Sequence, residues 1–187
     1  MAQKRASRRR TTARRPRTSR EPATPRRGLG FYGFTVRDVM TRKVVTVRDT
    51  DSLETAAKAI VDASVSGLPV VGRGGRLAGV VSQKDIVRLL NDRAGLTVPR
   101  GLFGLILHDD SAAPSDIAAR ARAILHRLPV RRAMSRPAIS VVPETTLDEA
   151  IGLLISRGVN RLPVVTGGRV VGIVTRHDLL SGVRESM

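Results

Sequence analysis

The stretch GLPVVGRGGRLAGVVSQKD, residues 67–85, recurs as RLPVVTGGRVVGIVTRHD at residues 161–178. The repeat extends upstream, because the segment from Val36 to Val71 matches the segment from Val130 to Val165 at a constant offset of 94 residues. Beyond the following loop the offset is 93, which marks a one-residue deletion in the second copy. Self-similarity of this kind predicts two structural units of one type, each of about 50 residues.

Within each copy, the hydrophobic periodicity predicts the order β-α-β-β-α. A β-branched run indicates a strand, apolar residues at helical spacing indicate a helix, and the glycine-rich stretch Gly72-Arg73-Gly74-Gly75 indicates a hairpin turn. In the first copy the predicted elements are a strand at 44–47, a helix at 53–64, strands at 68–71 and 77–81, and a helix at 82–90. In the second copy the first strand is expected at 139–142, the first helix at 147–158 and the closing helix at 175–181. One unit alone would expose too much of its sheet, so we expect an α+β fold in which the two units pack with pseudo-twofold symmetry.

Local signals refine the ends of these elements. We expect N-cap pairs that open the first helix of each copy, at Asp51 with Glu54 and at Thr145 with Asp148. Pro69 and Pro163 should lie at a strand start or on a sheet edge, because proline has no N–H to donate to a ladder.

The composition excludes several classes of protein. The chain has 187 residues, a formal net charge of +17 and no cysteine. The lack of cysteine excludes a disulfide scaffold, a thiolate zinc site and a cysteine nucleophile. No apolar run approaches the roughly 18 residues that a membrane span needs, and no apolar stretch follows the basic N-terminus as it would in a secretory signal. We therefore expect no membrane span and a cytoplasmic location.

The positive charge is concentrated at the N-terminus. Residues 1–30 contain eleven Lys or Arg and one acid, Glu21, so this stretch carries +10 and the other 157 residues carry +7. Its few apolar residues cannot offset the entropy of ordering it, so we predict that residues 1–29 are disordered. Clustered arginines can replace counterions on phosphates, which makes a nucleic acid one candidate partner of this tail. A solvated extension is the other interpretation.

The motifs of the two copies resemble those of the CBS domain, named for cystathionine β-synthase. In the first copy these are DVMTRKVVTV at 38–47, SLETAAKAIVDASVSGLPVV at 52–71 and GRLAGVVSQKDIVRLL at 75–90. In the second copy they are AMSRPAISVV at 133–142, TLDEAIGLLISRGVNRLPVV at 146–165 and GRVVGIVTRHDLL at 168–180. The resemblance implies a first CBS domain at 30–91 and a second at 130–187. It does not cover the basic tail at 1–29, and it covers the connector at 92–129 poorly. In the connector, apolar residues at helical spacing predict a helix at about 116–128.

The resemblance also implies a function. Tandem CBS pairs are regulatory modules that bind adenosine-containing ligands, such as AMP, ADP or ATP, in clefts between their two domains, and they commonly form flat homodimers. The chain shows no nucleophile elbow, no phosphate-binding glycine loop and no metal-ligand spacing, so we expect no catalytic activity, no metal and no obligatory cofactor. We expect the signal to pass to an effector protein. The alternative is a nucleic-acid-associated protein that binds through the tail and uses the CBS pair mainly to dimerise.

The strongest site candidates open the closing helix of each copy. Ser82 with Asp85 and Thr175 with Asp178 have the spacing of a capping box, which needs no ligand. A helix N-terminus also attracts phosphate, and a carboxylate one turn inside can accept hydrogen bonds from vicinal hydroxyls. The resemblance implies that each Asp binds ribose and that Ser82 and Thr175 lie near phosphate. We expect both roles to coexist.

The resemblance adds further candidates with weaker signals. Arg161 could reach phosphate with its forked donors, and a solvated arginine is the alternative interpretation. Its counterpart in the first copy is Gly67, so the two sites are not equivalent. Lys84 and His177, which precede the two aspartates, are phosphate candidates, although a solvated side chain is the simpler interpretation. The expected walls of the adenine pockets are strand residues, which could equally be plain core: Thr46, Val47, Leu68, Pro69, Ser140, Val141, Leu162 and Pro163.

Overall fold

The computed structural model describes residues 33–98, residue 103 and residues 115–179, without the side chains of residues 93, 94 and 115. These residues belong to one compact unit, Phe31–Met187. The predicted disorder of residues 1–29 and the last residues of the predicted closing helix lie outside the described part of the chain.

The first copy folds in the predicted order. After a short helix α1 (Val36–Val39), it contains β1 (Val47–Arg48), α2 (Leu53–Asp62), β2 (Gly67–Val71), β3 (Leu77–Ser82) and α3 (Gln83–Ala94). Strand β2 lies in the centre of the sheet, parallel to β1 and antiparallel to β3. A 3₁₀ turn at Arg73–Gly75 joins β2 to β3, at the predicted hairpin.

The second copy repeats this arrangement after helix α4 (Ser115–Arg127) and a 3₁₀ turn (Val130–Arg132). Its elements are α5 (Leu147–Ser156), β4 (Arg161–Thr166) and antiparallel β5 (Arg169–Thr175), followed by helical residues at 176–179. The predicted strand at 139–142 is reduced to one parallel bridge between Val141 and Val164. The predicted strand at 44–47 is likewise too long at its start, because the chain at 44–46 has no ladder partner in the described sheet.

The two copies exchange the segments that lead into them. We call residues 35–41 and 129–135 the lead-in segments. Val36 and Met40 lie in the hydrophobic core of the second copy, whereas Val130 and Ala133 lie in the core of the first. The backbone makes the same exchange, since Thr41 pairs with Ile173 of β5 and Ser135 pairs with Val80 of β3. Each structural core is therefore built from parts of both sequence repeats, which ties the two copies into one body.

Helix α4 of the connector packs on the first copy. Its residues Ala118, Ala121 and Leu125 are buried in the same core cluster as α2 and α3. This burial follows from apolar residues that recur at helical spacing on one face of α4. Between residues 98 and 115 of the connector, the structure describes only Phe103, which is buried in that cluster. No helix in the described residues is long and apolar enough to cross a membrane.

The predicted N-cap pairs are wrong by one residue in both copies. The N-caps are Ser52, whose Oγ accepts from Thr55 N at 3.1 Å, and Thr146, which forms a capping box with Glu149. The Asp51 carboxylate instead accepts from Arg48 N at 2.8 Å, and Thr145 Oγ1 accepts from Val142 N at 3.2 Å. These side chains close the turn before the helix, and the next residue is then free to cap it.

Pro69 departs from its expected place, whereas Pro163 lies on a sheet edge as expected, because β4 belongs to a two-stranded sheet. Pro69 is the third residue of the central strand β2, and Pro163 is the third residue of β4. The Pro163 carbonyl accepts from Val141 N at 3.0 Å, so the Pro163 nitrogen points to that same edge of its strand. The ladder on that edge begins only at Val141, so no N–H is needed there.

Candidate functional site

The exchange of lead-in segments creates two clefts between the copies. After each lead-in segment, the chain crosses back to its own copy through residues 42–45 or 136–139, which we call the crossing segments. Each crossing segment passes in front of the closing helix of the other copy. One cleft, of about 490 Å³, contains Asp85 and is named the Asp85 cleft. The other, of about 680 Å³, contains Asp178 and is named the Asp178 cleft.

At the floor of each cleft, a capping box holds the aspartate. Asp178 Oδ2 accepts from Thr175 N and from Thr175 Oγ1, both at 2.8 Å. Asp85 Oδ2 accepts in the same way from Ser82 N, at 3.0 Å, and from Ser82 Oγ. The capping interpretation is therefore correct for both copies. It uses one oxygen of each carboxylate and fixes the direction of the other.

The second carboxylate oxygen remains available for a ligand. Asp178 Oδ1 has no hydrogen-bond partner among the described residues, and Asp85 Oδ1 has only the Arg88 Nη2 atom at 3.5 Å. An ionised carboxylate can accept several hydrogen bonds, so each cleft offers a fixed acceptor that could take a pair of hydroxyls. Both groups are partly buried, which strengthens such a bond relative to bulk water.

Both clefts carry more positive than negative charge. The Asp85 cleft is lined by three cationic side chains and one carboxylate: Lys84, Arg88, Arg161 and Asp85. The Asp178 cleft has the same balance, with Lys43, Arg161, Arg176 and Asp178. Arg161 contributes to both because it starts β4 at the boundary between the copies. A cleft with an excess of cations beside one acceptor suits an anionic ligand that also carries hydroxyl groups.

Arg161 differs in position from what the sequence predicts. It is not confined to one cleft: its Nη2 atom donates to Ser66 Oγ of the first copy, and its guanidinium lies over the backbone of Gly67. Burial lowers the pKa of the Arg161 guanidinium from its ordinary value, and the nearby Asp85 carboxylate opposes this by raising it. Because arginine is not deprotonated in proteins, the group is a cation at a partly buried position.

The structure brings some of the predicted site residues together and leaves others outside. Ser82, Lys84, Asp85 and Arg161 line the Asp85 cleft. Gly67, Leu68, Pro69, Arg161, Thr175, His177 and Asp178 line the Asp178 cleft. The remaining candidates line neither cleft: Thr46, Val47, Ser140, Val141, Leu162 and Pro163.

Six of the eight strand candidates lie outside the clefts, and only Leu68 and Pro69 line one of them. Val47 and Val141 are each 5% exposed and belong to the hydrophobic cores. Ser140 and Val141 line a separate hollow beside α5. The residues that line the clefts lie two or three positions before Val47 and Val141, in the crossing segments. They are Val44, Val45, Ala138 and Ile139.

Sequence reasoning missed two polar residues that line both clefts. Ser66 and Asn160 precede Gly67 and Arg161, and they hold the closing helices in place: Gln83 N donates to Ser66 O at 3.2 Å, and Arg176 N donates to Asn160 O at 3.1 Å. The repeat alignment places them at equivalent positions, one residue before the motif that was singled out. That equivalence was the signal that could have found them.

Comparison with known proteins identifies the architecture. The sequence model of the CBS domain matches the chain twice, at residues 36–92 and 122–185. The chain belongs to the CBS domain family. This CBS pair is 29% identical over 152 residues to an uncharacterized protein of Methanocaldococcus jannaschii, a match that covers 79% of this chain and 90% of that protein. Other relatives are longer than the match, which spans 41%, 15% and 24% of three of them.

Solved structures show the same fold. The CBS domain of a CBS domain-containing membrane protein from Sphaerobacter thermophilus is 29% identical, with a TM-score of 0.65 over 79% of this chain and 86% of that one. CBSX2 of Arabidopsis thaliana, solved in complex with AMP, is also 29% identical, with a TM-score of 0.59 over 82% of this chain and 98% of that one. The predicted fold class, two CBS units in tandem, is therefore confirmed. In the described residues, no cluster of three or more His, Cys, Asp or Glu side chains could hold a metal ion.

Proposed function

We propose that this CBS pair is a non-catalytic regulatory module that binds an adenosine-containing nucleotide in the clefts between its copies. The observation that carries the proposal is the geometry of Asp85 and Asp178. Each carboxylate is fixed through one oxygen by a capping box and directs the other oxygen into a cationic cleft. The AMP complex of the related CBSX2 supports the class of ligand.

In this proposal, the free oxygen of each aspartate accepts hydrogen bonds from the ribose hydroxyls. The phosphate lies toward the cations at the helix start, with Lys84 or His177 as the nearest candidates and Arg161 on the shared side. The crossing segments supply apolar walls for the adenine base. Residues 43–45 and 137–139 would contact the base. They replace the residues predicted for this role, which are Thr46, Val47, Ser140 and Val141.

The signal is a shift in population between arrangements of the two copies. A ligand that contacts both copies favours the arrangement it binds more tightly, and its differential affinity limits the size of the shift. In this proposal the module passes the shift on through the surface that it presents to a partner protein. The partner and the expected homodimer belong to the proposal.

Isothermal titration of AMP tests the ribose assignment. Asp85→Asn and Asp178→Asn should each weaken one cleft by about ten- to a hundredfold, since a hydrogen bond to a charged group contributes about 1.5–3 kcal/mol. Titration with 2′-deoxy-AMP, which lacks one of the two hydroxyls, should show a smaller difference between wild type and variants.

Asp38→Asn is the matched control. Asp38 forms a capping box with Thr35 of the same type, with Thr35 N donating to Asp38 Oδ2 at 2.8 Å, but it lines neither cleft. This variant should keep full affinity for AMP. Unchanged affinity in both cleft variants would show that the aspartates only cap helices.

The alternative function, nucleic-acid binding through the tail, rests on the +10 charge of residues 1–30. Filter binding of the full chain and of a chain without these residues tests it. Loss of nucleic-acid binding on truncation, with no AMP binding by either form, would favour the alternative. AMP binding that is independent of the tail would favour the regulatory module.

A further inference from the structure

The two clefts share one wall, made by Ser66, Asn160 and Arg161. Of these residues only Arg161 carries a charge. Each of the other described cations that line a cleft lines only one: Lys84 and Arg88 belong to the Asp85 cleft, and Lys43 and Arg176 belong to the Asp178 cleft. The one charged side chain that faces both candidate sites therefore belongs to the second copy alone, since the equivalent position in the first copy is Gly67.

We propose that Arg161 couples the two clefts, so that a phosphate-bearing ligand bound in one weakens the binding of a second phosphate-bearing ligand in the other. This inference rests on the proposed function and adds a regulatory property to it. A single guanidinium can direct its paired donors toward one phosphate at a time. Two phosphates at the same wall would share that cation and repel each other.

The backbone at Gly67 explains why the first copy provides no second guanidinium. A Cβ atom on Gly67 would lie 2.6 Å from Val81 O and 2.8 Å from Ser82 Cα, both of which are backbone atoms. It would also lie 2.7 Å from Arg161 Nη1. A side chain at position 67 is therefore excluded by the hairpin itself and by the guanidinium that occupies the space. Among the described residues, Arg161 is therefore the one guanidinium that lines both clefts.

The Arg161 guanidinium lies where a phosphate in either cleft could bind it. Its guanidinium is held by the Ser66 hydroxyl, a neutral acceptor, and Asp85 acts on it only as a nearby charge. Ser66 itself lines both clefts, so the guanidinium that it holds adjoins both of them. A phosphate in one cleft would hold the guanidinium there and remove it from the other.

The test compares wild type with variants that keep one competent cleft. AMP is titrated into wild type, Asp85→Asn and Asp178→Asn by isothermal calorimetry, and adenosine is titrated in parallel. If the clefts are independent, the wild-type isotherm equals the combination of the two single-cleft isotherms. With coupling through Arg161, the second AMP should bind wild type about tenfold more weakly than it binds the matching single-cleft variant, within the usual range of coupling between sites. Adenosine, which lacks phosphate, should show independent clefts.

Arg161→Gln should lower the affinity of both clefts for AMP and make the two binding events independent. Arg73→Gln removes an exposed arginine from the hairpin turn, away from both clefts, and should leave the coupling intact. The comparison of AMP with adenosine on wild type needs no variant, so it stands even if Arg161→Gln folds poorly.

Independent AMP binding at both clefts of wild type would overturn the coupling while leaving the proposed function in place. Coupling that persists in Arg161→Gln would also overturn it, because another element would then carry the effect. No AMP binding to wild type would refute the proposed function and this inference with it.

Discussion

The Met40 sulfur of the first copy lies 2.6 Å from the position that a Cβ atom would occupy on Gly172 of the second. The reciprocal pair, Met134 and Gly79, shows the same approach, with the sulfur at 2.9 Å. Both glycines lie in the last strand of their copy, beside the point where the lead-in segment of the other copy pairs with it. The absence of a side chain at these positions lets the exchanged segments reach the sheets.

The two glycines should respond differently to alanine. Gly79→Ala should reduce the free energy of unfolding by about 1–3 kcal/mol, because the new Cβ would lie 2.8 Å from Ser135 O, a backbone atom in the bridge to Val80. Gly172→Ala should reduce the free energy of unfolding by about 1 kcal/mol or less, because the atom nearest to the new Cβ is the sulfur of the flexible Met40 side chain. Urea unfolding of both variants measures the difference.

Gly152→Ala is the control for these substitutions. Gly152 lies inside α5, and no atom lies within 4 Å of its added Cβ, so alanine should stabilise the protein by about 0.5–1 kcal/mol. Equal losses at Gly79 and Gly172 would contradict the backbone explanation.

The exchange of lead-in segments predicts crossed effects of core substitutions. Val36 and Val130 are fully buried, and Val→Ala at either position should cost about 2 kcal/mol through lost burial and a residual cavity. Val36→Ala should raise amide hydrogen exchange in β4 and β5, and Val130→Ala should raise it in β2 and β3. Val142→Ala, at a position 48% exposed, serves as the control with little effect. Faster exchange in the substituted residue's own repeat alone would argue against the exchange.

The contact between Glu54 of α2 and the connector helix α4 should depend on pH. The Glu54 carboxylate accepts from Lys58 Nζ at 2.7 Å and contacts His126 Nδ1 at 3.0 Å. The hydrogen bond from Lys58, and then that from His126, lowers the pKa of Glu54 below its ordinary value of 4.5. Because the pKa of Glu54 is lower in the folded state than in the unfolded state, ionised Glu54 stabilises the fold at pH values above 4.5. This stabilisation is lost as the pH falls through the pKa of the folded state.

Glu54→Gln should therefore destabilise the protein near neutral pH by at most about 1 kcal/mol, as for other exposed ion pairs. Urea unfolding of wild type and variant over the acid range should show the difference shrinking to zero below the pKa of folded Glu54. His126→Gln should remove the smaller part of the effect and leave the Lys58 part. A difference that grows on acidification would have the wrong sign and refute the assignment.

Salt should separate the phosphate contacts from the rest of the ligand. The cations that line each cleft are partly screened at about 0.1 M salt, where the Debye length is about 10 Å. Raised salt should weaken AMP binding more than adenosine binding, and Arg161→Ala should reduce that difference in both clefts. Calorimetric titrations at two salt concentrations measure it. If raised salt weakens the binding of AMP and of adenosine equally, Arg161 does not bind phosphate and has only a structural role.

Much of this protein could be predicted from its sequence because the information is local and appears twice. The helices at Leu53–Asp62 and Leu147–Ser156 and the hairpins follow from periodicity and turn residues. The capping boxes of Ser82 with Asp85 and of Thr175 with Asp178 follow from spacing within one helical turn.

The sequence by itself determined the repeat, the element order and the two aspartates, because the elements and capping boxes depend on residues a few positions apart and the chain contains each of these patterns twice. Only the tertiary structure decided which copy each lead-in segment joins, since Val36 and Val130 are equally apolar and either core could bury them. With that exchange, the clefts are lined by the crossing segments and not by the predicted Thr46 and Ser140. It also sets Arg161 against Gly67 and Ser66, 95 residues away from its hydroxyl partner, where one charge faces two clefts. Contacts of such long range arise from packing, which no local pattern records.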